Sequence, residues 1–305
     1  MKKYAIVTGG TGFVGKNLIH KLILEGWSVK ALFRKSSNLK KLLYDDLNYV
    51  DIYIVDDNNT VLGVLKDIAR RVDVKRTVVF HIAALVQGGE CKDEDIEELI
   101  SSNVTYGTKI ASAAIKVGIK NLITTGTAWQ HYHDDTYNPV NLYAASKEAL
   151  DVILKFYEEV YELKKITLQL FDTYGENDSR KKIIDLIIDN SRNGQILDMS
   201  PGEQYIDLVY IDDVINAYII AADYLIKQDY RKCGIYGISS EEPIKLKELV
   251  KLIEQLTGNK TKINFGGREY RQREVMMPWK NHPILPGWNR QISIKEGLLR
   301  ILNKS

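Results

Sequence analysis

Short apolar runs alternate with longer segments of helical periodicity through the first half of the chain. Between the runs, apolar positions repeat with the period of a helix near 13–25, 61–72, 95–117 and 140–162. The runs themselves have the length and composition of buried strands: YAIVT, SVKALF, NYVDIYIV, TVVFHIA, NLITT and ITLQLF. This alternation predicts a parallel sheet covered on both faces, which is a doubly wound α/β fold.

The pattern becomes less regular after about residue 172. It predicts further helices and one short strand: helices near 180–193, 245–256 and 293–303, and the strand GIYGIS. We therefore predict a Rossmann domain over 1–171 and a smaller, mainly substrate-binding domain over 172–305. Elements around 206–230 are expected to return to the first domain.

Composition limits the functional classes. The 305 residues include 42 Lys and Arg against 40 Asp and Glu, with no long run of either sign, so neither nucleic acid nor a membrane is expected as a partner. The apolar run near the N-terminus ends at glycines after four residues, too short for a signal peptide or a membrane span. Two isolated cysteines, Cys91 and Cys233, predict no disulfide framework and a cytoplasmic protein.

The segment AIVTGGTGFVGKNLI predicts a dinucleotide site. Its glycines stand between a strand and an amphipathic helix, where they permit a tight turn and bring backbone N–H groups close to a pyrophosphate. The alternative is a glycine-rich turn without a ligand. The residues predicted to bind the cofactor here are Gly9, Thr11, Gly12, Phe13, Val14 and Gly15.

The end of the second strand indicates which dinucleotide binds. Arg34 and Lys35 stand where an NAD site usually presents a carboxylate to the ribose 2′-hydroxyl, so we predict NADP(H). A solvated basic turn is the alternative. Asp56 ends the third strand, and it either meets the adenine or only forms a turn.

The motifs that follow resemble the extended short-chain dehydrogenase/reductase family. HIAA (81–84) resembles the family segment that runs along the cofactor, which implies contacts from Ala83 and Ala84. SSNVTYGT (101–108) resembles the Asn-x-x-x-Gly-Thr signature, and LYAASK resembles the Tyr-x-x-x-Lys motif. The order and spacing agree along essentially the whole chain, so the resemblance implies a Rossmann fold and a pyridine nucleotide.

Two Tyr-x-x-x-Lys pairs compete for the catalytic role. Tyr143 opens a predicted helix and shares a face with Lys147, whereas Tyr161, paired by spacing with Lys165, ends the same helix. The order of motifs favours Tyr143, and we assign Tyr161 to structure. A nearby ammonium and an oxidised nicotinamide would stabilise the phenolate of a tyrosine whose pKa is ordinarily about 10.

The resemblance also implies the remaining catalytic groups. Thr125 aligns with the Ser or Thr that hydrogen-bonds the reacting oxygen, and Thr127 is close enough to be its substitute or partner in substrate binding. Asn103 would help to hold the lysine and its water. The alternative for Asn103 is a buried amide satisfied by neighbouring backbone.

Polar clusters in the second half have two interpretations each. Arg180, Lys181 and Lys182 either meet a diphosphate or coat a helix. Arg271 matches the family arginine that holds the diphosphate, with Glu274 where an Asp is usual, while Ile206 replaces an arginine of many relatives.

A polar cluster of two histidines and two aspartates suggests a metal site. It lacks a third fixed ligand, and we expect no metal there. Its members are His131, His133, Asp134 and Asp135.

The family reduces, epimerises or dehydrates nucleotide sugars. Gly126 and Thr127 stand where dehydratases carry an acidic pair, and an NADP-type strand end favours net reduction over the recycled NAD of an epimerase. The segment 125–147 resembles the branch of CDP-abequose and CDP-paratose synthases. That resemblance implies reduction of the C4 ketone of a CDP-linked 4-keto-3,6-dideoxyhexose, or of a dTDP- or GDP-linked 4-keto-6-deoxy sugar. We expect the protein to be a homodimer. A same-family epimerase and a non-catalytic NADP(H) sensor are the alternatives.

Overall fold

The computed structural model describes residues 2–42, 46–56, 60–87, 91–134 and 136–304. Its strands are β1 Tyr4–Thr8, β2 Ser28–Phe33, β3 Val50–Ile54, β4 Thr77–His81, β5 Asn121–Thr127, β6 Lys164–Leu170, β7 Asp172–Tyr174, β8 Leu197–Met199, β9 Tyr205–Ile206, β10 Leu208–Tyr210, β11 Gly234–Ile238, β12 Ile244–Lys245 and β13 Ile263–Phe265. Within these ranges, seven strands form one parallel sheet in the order β11-β6-β5-β4-β1-β2-β3. The predicted doubly wound α/β fold is confirmed.

Helices cover both faces of this sheet. They are α1 Phe13–Leu24, α2 Val61–Ala69, α3 Ile96–Ile100, α4 Tyr106–Lys116, α5 Leu142–Tyr161, α6 Ile183–Asn193, α7 Ile211–Ile226, α8 Leu246–Thr257 and α9 Ile294–Lys304. α1 packs with α7 on one face, and α2, α4 and α5 pack on the other. Burial on both faces explains why the strands read as nearly continuous apolar runs.

Three element boundaries differ from the sequence prediction. The helix expected near 95–117 is interrupted by a π-helical segment, Ser101–Thr105. Strand β5 continues two residues beyond NLITT, because Gly126 and Thr127 still pair with β6. Helix α6 begins at Ile183, so Arg180, Lys181 and Lys182 precede it and do not coat its surface.

The chain after residue 172 builds smaller layers. β7 pairs with β10 and β8 with β13 in parallel, whereas β9 pairs with β12 antiparallel. Helices α6 and α9 pack against α8. Strand β11 extends the large sheet, and helix α7 packs on the face of that sheet. The domain boundary between residues 171 and 172 remains a prediction. Over the described ranges, no helix is both long and apolar enough to cross a membrane.

Candidate active site

A cavity of about 1460 Å³ opens at the carboxyl ends of the parallel strands. Strand ends of the large sheet border one side of it, and residues of the smaller layers border the other. Ordinary single-ligand pockets measure roughly 300–1,000 Å³. The cavity therefore has room for two ligands side by side, a dinucleotide and a second molecule.

The glycine turn forms one end of the cavity. A Cβ on Gly15 would lie 2.1 Å from the carbonyl oxygen of Gly9, and a Cβ on Gly9 would lie 2.6 Å from the Ala83 nitrogen. Only glycines permit this packing. Gly12 precedes α1 as its N-cap and provides no side-chain hydrogen bond to the helix. Phe13 and Val14 of the first helical turn line the cavity, as do Thr11 and Ala84. The N–H groups of a helix start suit an anionic pyrophosphate.

The end of β2 borders the same cavity. Arg34 and Ser37 both line it, and the Arg34 backbone nitrogen donates to Ser37 Oγ at 3.1 Å. Asp56, at the end of the third strand, is also a lining residue. Lys35 is exposed and lies outside the lining, so the two predicted cations of this turn are not equivalent.

Tyr143 and Lys147 lie on the first turns of α5, which starts where Asn141 Oδ1 accepts the Ala144 N–H at 2.9 Å. Both side chains are buried and line the cavity. Burial raises the pKa of Tyr143 to about 12, with the Arg180 guanidinium opposing the shift. Burial lowers the pKa of Lys147 to about 8, against the effect of Asp151. A neutral phenol thus lies beside a mainly protonated lysine at neutral pH.

His81, the last residue of β4, supports this electrostatic arrangement. Burial and the nearby Lys147 charge lower the pKa of His81 to about 3. Its Nδ1 shares a 3.0 Å hydrogen bond with Thr8 Oγ1. His81 therefore stays neutral and adds no positive charge next to Lys147.

The two candidate threonines have different surroundings, although both line the cavity. The Thr125 hydroxyl shares a 2.6 Å hydrogen bond with the Tyr218 hydroxyl and lies 3.4 Å from the His81 carbonyl oxygen. Thr127 ends β5, and its Oγ1 accepts the Trp129 N–H at 3.3 Å. The accepting role leaves the Thr127 O–H able to donate to a ligand.

Asn103 is fully buried in the π-helical segment and does not line the cavity. Its Oδ1 accepts the Leu85 N–H at 2.7 Å, and its Nδ2 donates to the Leu85 carbonyl and to Ser146 Oγ, each at 3.0 Å. These contacts correspond to the alternative interpretation, an amide satisfied by neighbouring groups. They also join Leu85, in the irregular segment after β4, to Ser146 on α5.

Basic residues from the chain after residue 172 also line the cavity, among them Arg180, Lys182 and Arg271. Arg180 binds Asp178, donates to the Thr173 carbonyl at 3.1 Å and lies 4.6 Å from the centre of the Phe13 ring. Burial lowers the pKa of Lys182, an effect that Asp172 opposes.

The segment 268–282 lines the cavity on the side formed by the smaller layers. It packs on the loop between β5 and α5. Asp134 Oδ1 accepts the backbone N–H groups of Lys280 at 2.7 Å and Asn281 at 3.1 Å. Trp279 stacks on His131 with ring centres 3.6 Å apart, and both line the cavity. The Asp134 carboxylate therefore already accepts hydrogen bonds from two backbone N–H groups.

The side chains of the possible metal cluster contact different protein groups and not one common site. His131 Nε2 shares a 3.0 Å hydrogen bond with Gln169 Oε1, and His133 packs edge-on against Tyr132. Asp135 lies outside the described residues. In the part of the chain that the structure covers, no group of three His, Cys, Asp or Glu side chains is arranged to hold a metal ion.

Several side chains of the site carried no readable sequence signal. Tyr218 comes 93 residues after Thr125, and the two meet only because α7 packs on the sheet. Trp279 likewise reaches His131 only through the docked segment. Arg273 did have a signal, since it stands beside Arg271 in YRQRE, and it also lines the cavity.

A glycine turn after β1 and a Tyr-Lys pair on α5, open to one cavity at the carboxyl edge of a doubly wound sheet, define a Rossmann enzyme of the pyridine-nucleotide class. The chain belongs to the NAD dependent epimerase/dehydratase family, whose model matches residues 5–231. Among curated relatives, CDP-abequose synthase of Salmonella muenchen is 29% identical over 99% of this chain and 98% of its own length. A putative UDP-glucose 4-epimerase of Methanocaldococcus jannaschii is 24% identical over 98% and 97%.

A solved structure agrees with this fold. UDP-glucuronic acid 4-epimerase from Bacillus cereus, in complex with UDP-glucuronic acid and NAD, has a TM-score of 0.81 at 19% identity, covering 99% of this chain and 98% of its own. At that identity the likeness establishes the fold alone.

Proposed function

We propose that the protein is an NADPH-dependent reductase of the C4 ketone of a nucleotide-diphospho-4-keto-6-deoxy or 3,6-dideoxy hexose. The CDP-linked sugar is favoured over dTDP- and GDP-linked counterparts, and the role is deoxysugar biosynthesis for surface polysaccharide. The observation that carries the proposal is one cavity lined by Arg34, Tyr143, Lys147 and Arg271. The full-length similarity to a CDP-abequose synthase supports the CDP-linked sugar.

The cofactor side of the cavity fits a pyridine nucleotide. The uncapped first turn of α1 offers N–H groups to the pyrophosphate, and Gly9 and Gly15 leave no space for side chains that would block it. Arg34 would hold the 2′-phosphate, with Lys35 adding positive charge from outside the lining, and Asp56 would meet the adenine. When bound, NADPH supplies the hydride for C4.

The protein supplies the proton and the polarisation of the ketone. Tyr143, whose pKa of about 12 keeps it a neutral phenol, gives its proton to the ketone oxygen. The Lys147 ammonium stabilises the phenolate that remains. Asn103 acts indirectly, because it fixes the approach of Ser146 on α5 to the segment after β4.

Thr127, and not Thr125, donates the second hydrogen bond to the ketone. The Thr125 hydroxyl already has the His81 carbonyl as an acceptor at 3.4 Å and shares a 2.6 Å hydrogen bond with the Tyr218 hydroxyl, whereas the Thr127 O–H is left to donate. Loss of one such donor typically lowers kcat by about 10²–10³-fold. We expect this loss for Thr127→Val, and a much smaller one for Thr125→Val.

The diphosphate of the substrate meets Arg271, with Arg180 and Lys182 on the neighbouring wall. Ile206 also lines the cavity, so the contact that an arginine makes there in many relatives falls to these other cations. Remote binding of this kind holds C4 close to the nicotinamide.

The direct test mixes the protein, NADPH and CDP-, dTDP-, GDP- or UDP-linked 4-keto sugars. The proposal predicts that NADPH is consumed one for one and that mass spectrometry finds a product heavier than the ketone by two hydrogens. Free 4-keto sugar should not react. A product of unchanged mass without net NADPH loss would instead make the protein an epimerase, and loss of water would make it a dehydratase.

We also propose that the protein is a cytoplasmic homodimer. Val152, Phe156 and Val160 are each more than half exposed and recur every fourth residue along α5, which makes one apolar stripe. A second copy of α5 would cover this stripe. Light scattering on Phe156→Glu should report a monomer where the wild type is a dimer.

A further inference from the structure

A side-chain bridge joins the end of β5 to the helix that carries Tyr143. Gln130 is fully buried, and its Oε1 accepts the Thr127 N–H at 2.9 Å. Its Nε2 donates to Glu148 Oε2 at 2.5 Å. Glu148 directly follows Lys147 on α5, so one amide side chain connects the two elements that hold the catalytic groups.

The neighbouring backbone is shaped to accept this bridge. A Cβ on Gly126 would lie 2.8 Å from Gln130 Oε1 and 2.7 Å from Gln169 Cγ. A residue larger than glycine at 126 would therefore push Gln130 away from Thr127. The Gln130 carbonyl also accepts the Asn138 N–H at 2.8 Å, which fixes the turn from its other end.

The orientation of the Gln130 amide follows from its partners. A backbone N–H requires an acceptor and a carboxylate requires a donor, so Oε1 faces Thr127 and Nε2 faces Glu148. A carboxylate that accepts from the amide holds it in one orientation. Thr127 is thereby fixed at its nitrogen by Gln130 and at its hydroxyl by the Trp129 N–H.

We infer that Gln130 and Glu148 are positioning residues, which set the distance between the Thr127 and Tyr143 hydroxyls. The inference rests on the proposed function, in which both hydroxyls hold one ketone oxygen. Those hydroxyls come from different elements, β5 and α5, and a displacement of about 1 Å can lower a rate by about 10²-fold. The bridge is a polar link between these elements next to the catalytic groups, whereas the hydrogen bonds from Thr124 through Thr167 to Asp151 join β5 to α5 farther along the helix.

The first test needs no keto sugar and no turnover. In ¹⁵N-labelled protein saturated with NADPH, Glu148→Ala should speed exchange of the Thr127 amide hydrogen by at least about tenfold, since Gln130 is no longer held. Glu148→Gln keeps an acceptor for Gln130 Nε2 and should restore protection. Unchanged exchange in Glu148→Ala would overturn the inference, whatever reaction the protein catalyses. Glu148→Met removes the same acceptor with strong helix propensity and replaces Glu148→Ala if that variant fails to fold.

The second test is a double-mutant cycle with the keto sugar. Glu148→Ala should lower kcat by about 10- to 100-fold with little change in KM, and Glu148→Gln should recover most of it. In a Thr127→Val background, Glu148→Ala should lower kcat by less than about threefold, because the group it positions is already gone. Equal losses in both backgrounds would refute a role through Thr127. Glu159→Ala, on the same helix but exposed, is the control.

Failure of the proposed function is recognised separately: the wild type would then fail to oxidise NADPH with any of the 4-keto sugars tested. The exchange measurement still decides on the bridge in that case.

Discussion

The two sides of the cavity are built in different ways. On the cofactor side, the glycine turn, the end of β2 and the start of α5 each lie at the end of a regular strand or helix. On the substrate side, the segment 268–282 is held by contacts such as that between Asp134 and Lys280, 146 residues apart. The difference teaches that one side follows from local spacing, while the other exists only through long-range packing.

The largest expected effect concerns Tyr143, where the two sides meet. Tyr143→Phe removes the transferred proton without changing the glycine turn, so kcat should fall by about 10²–10⁴-fold while NADPH affinity stays near that of the wild type. Steady-state rates and fluorescence titration with NADPH measure the two quantities. Tyr161→Phe is the matched control and should be nearly neutral; a reversed outcome would reassign the catalytic pair.

The next effect should stay on the cofactor side. Arg34→Ala should reduce the preference for NADPH over NADH by about 10- to 100-fold, because a hydrogen bond to a charged group contributes about 1.5–3 kcal/mol. The ratio of kcat/KM for the two cofactors measures it. Lys35→Ala, outside the cavity lining, should have a smaller effect. A wild type equally efficient with both cofactors would contradict the assignment of a 2′-phosphate site.

A third change should stay on the substrate side. Arg271→Ala should raise KM for the nucleotide sugar by roughly tenfold with kcat nearly unchanged, the pattern of an interaction present equally in ground and transition states. NADPH affinity should not change. A loss confined to kcat would place Arg271 in the chemistry and break the separation between the two sides.

At neutral pH the smallest expected effect is that of pH itself, which becomes large only above about pH 8. The pKa of Lys147 is lowered from 10.5 to about 8, and its charged form supports the reaction, so activity should be full below that value and decline above it. Tyr143, with a pKa of about 12, stays protonated over the same range. With NADPH as the varied substrate, kcat/KM should fall about tenfold per pH unit above about 8. A flat profile to pH 10 would contradict the role of Lys147.

The sequence predicted the sheet well, and it placed the glycine turn and Arg34 next to one cavity, for physical reasons. Apolar runs bounded by glycine indicate buried parallel strands. Arg34 directly follows such a run, which places it at the carboxyl end of β2. The interrupted helix at Ser101–Thr105 was not predicted, because a π-helical turn leaves the apolar period almost unchanged.

The distinction between Thr125 and Thr127 also required the structure. Both stand on one side of β5, so periodicity cannot separate them. The difference arises from Tyr218, which reaches Thr125 from a helix far along the chain. The roles of the individual site residues remain predictions that the variants above address.

The Asp134 contacts have a consequence for how this enzyme can diversify. This carboxylate grips main-chain N–H groups of Lys280 and Asn281, and every residue type except proline has such a group. A substitution of Lys280 therefore leaves its contact with Asp134 in place, whereas Trp279, which stacks on His131, and Asn281, whose side chain also donates to Asp134, hold the segment through their side chains. The attachment of 268–282 thus tolerates change at position 280 more readily than at positions 279 and 281.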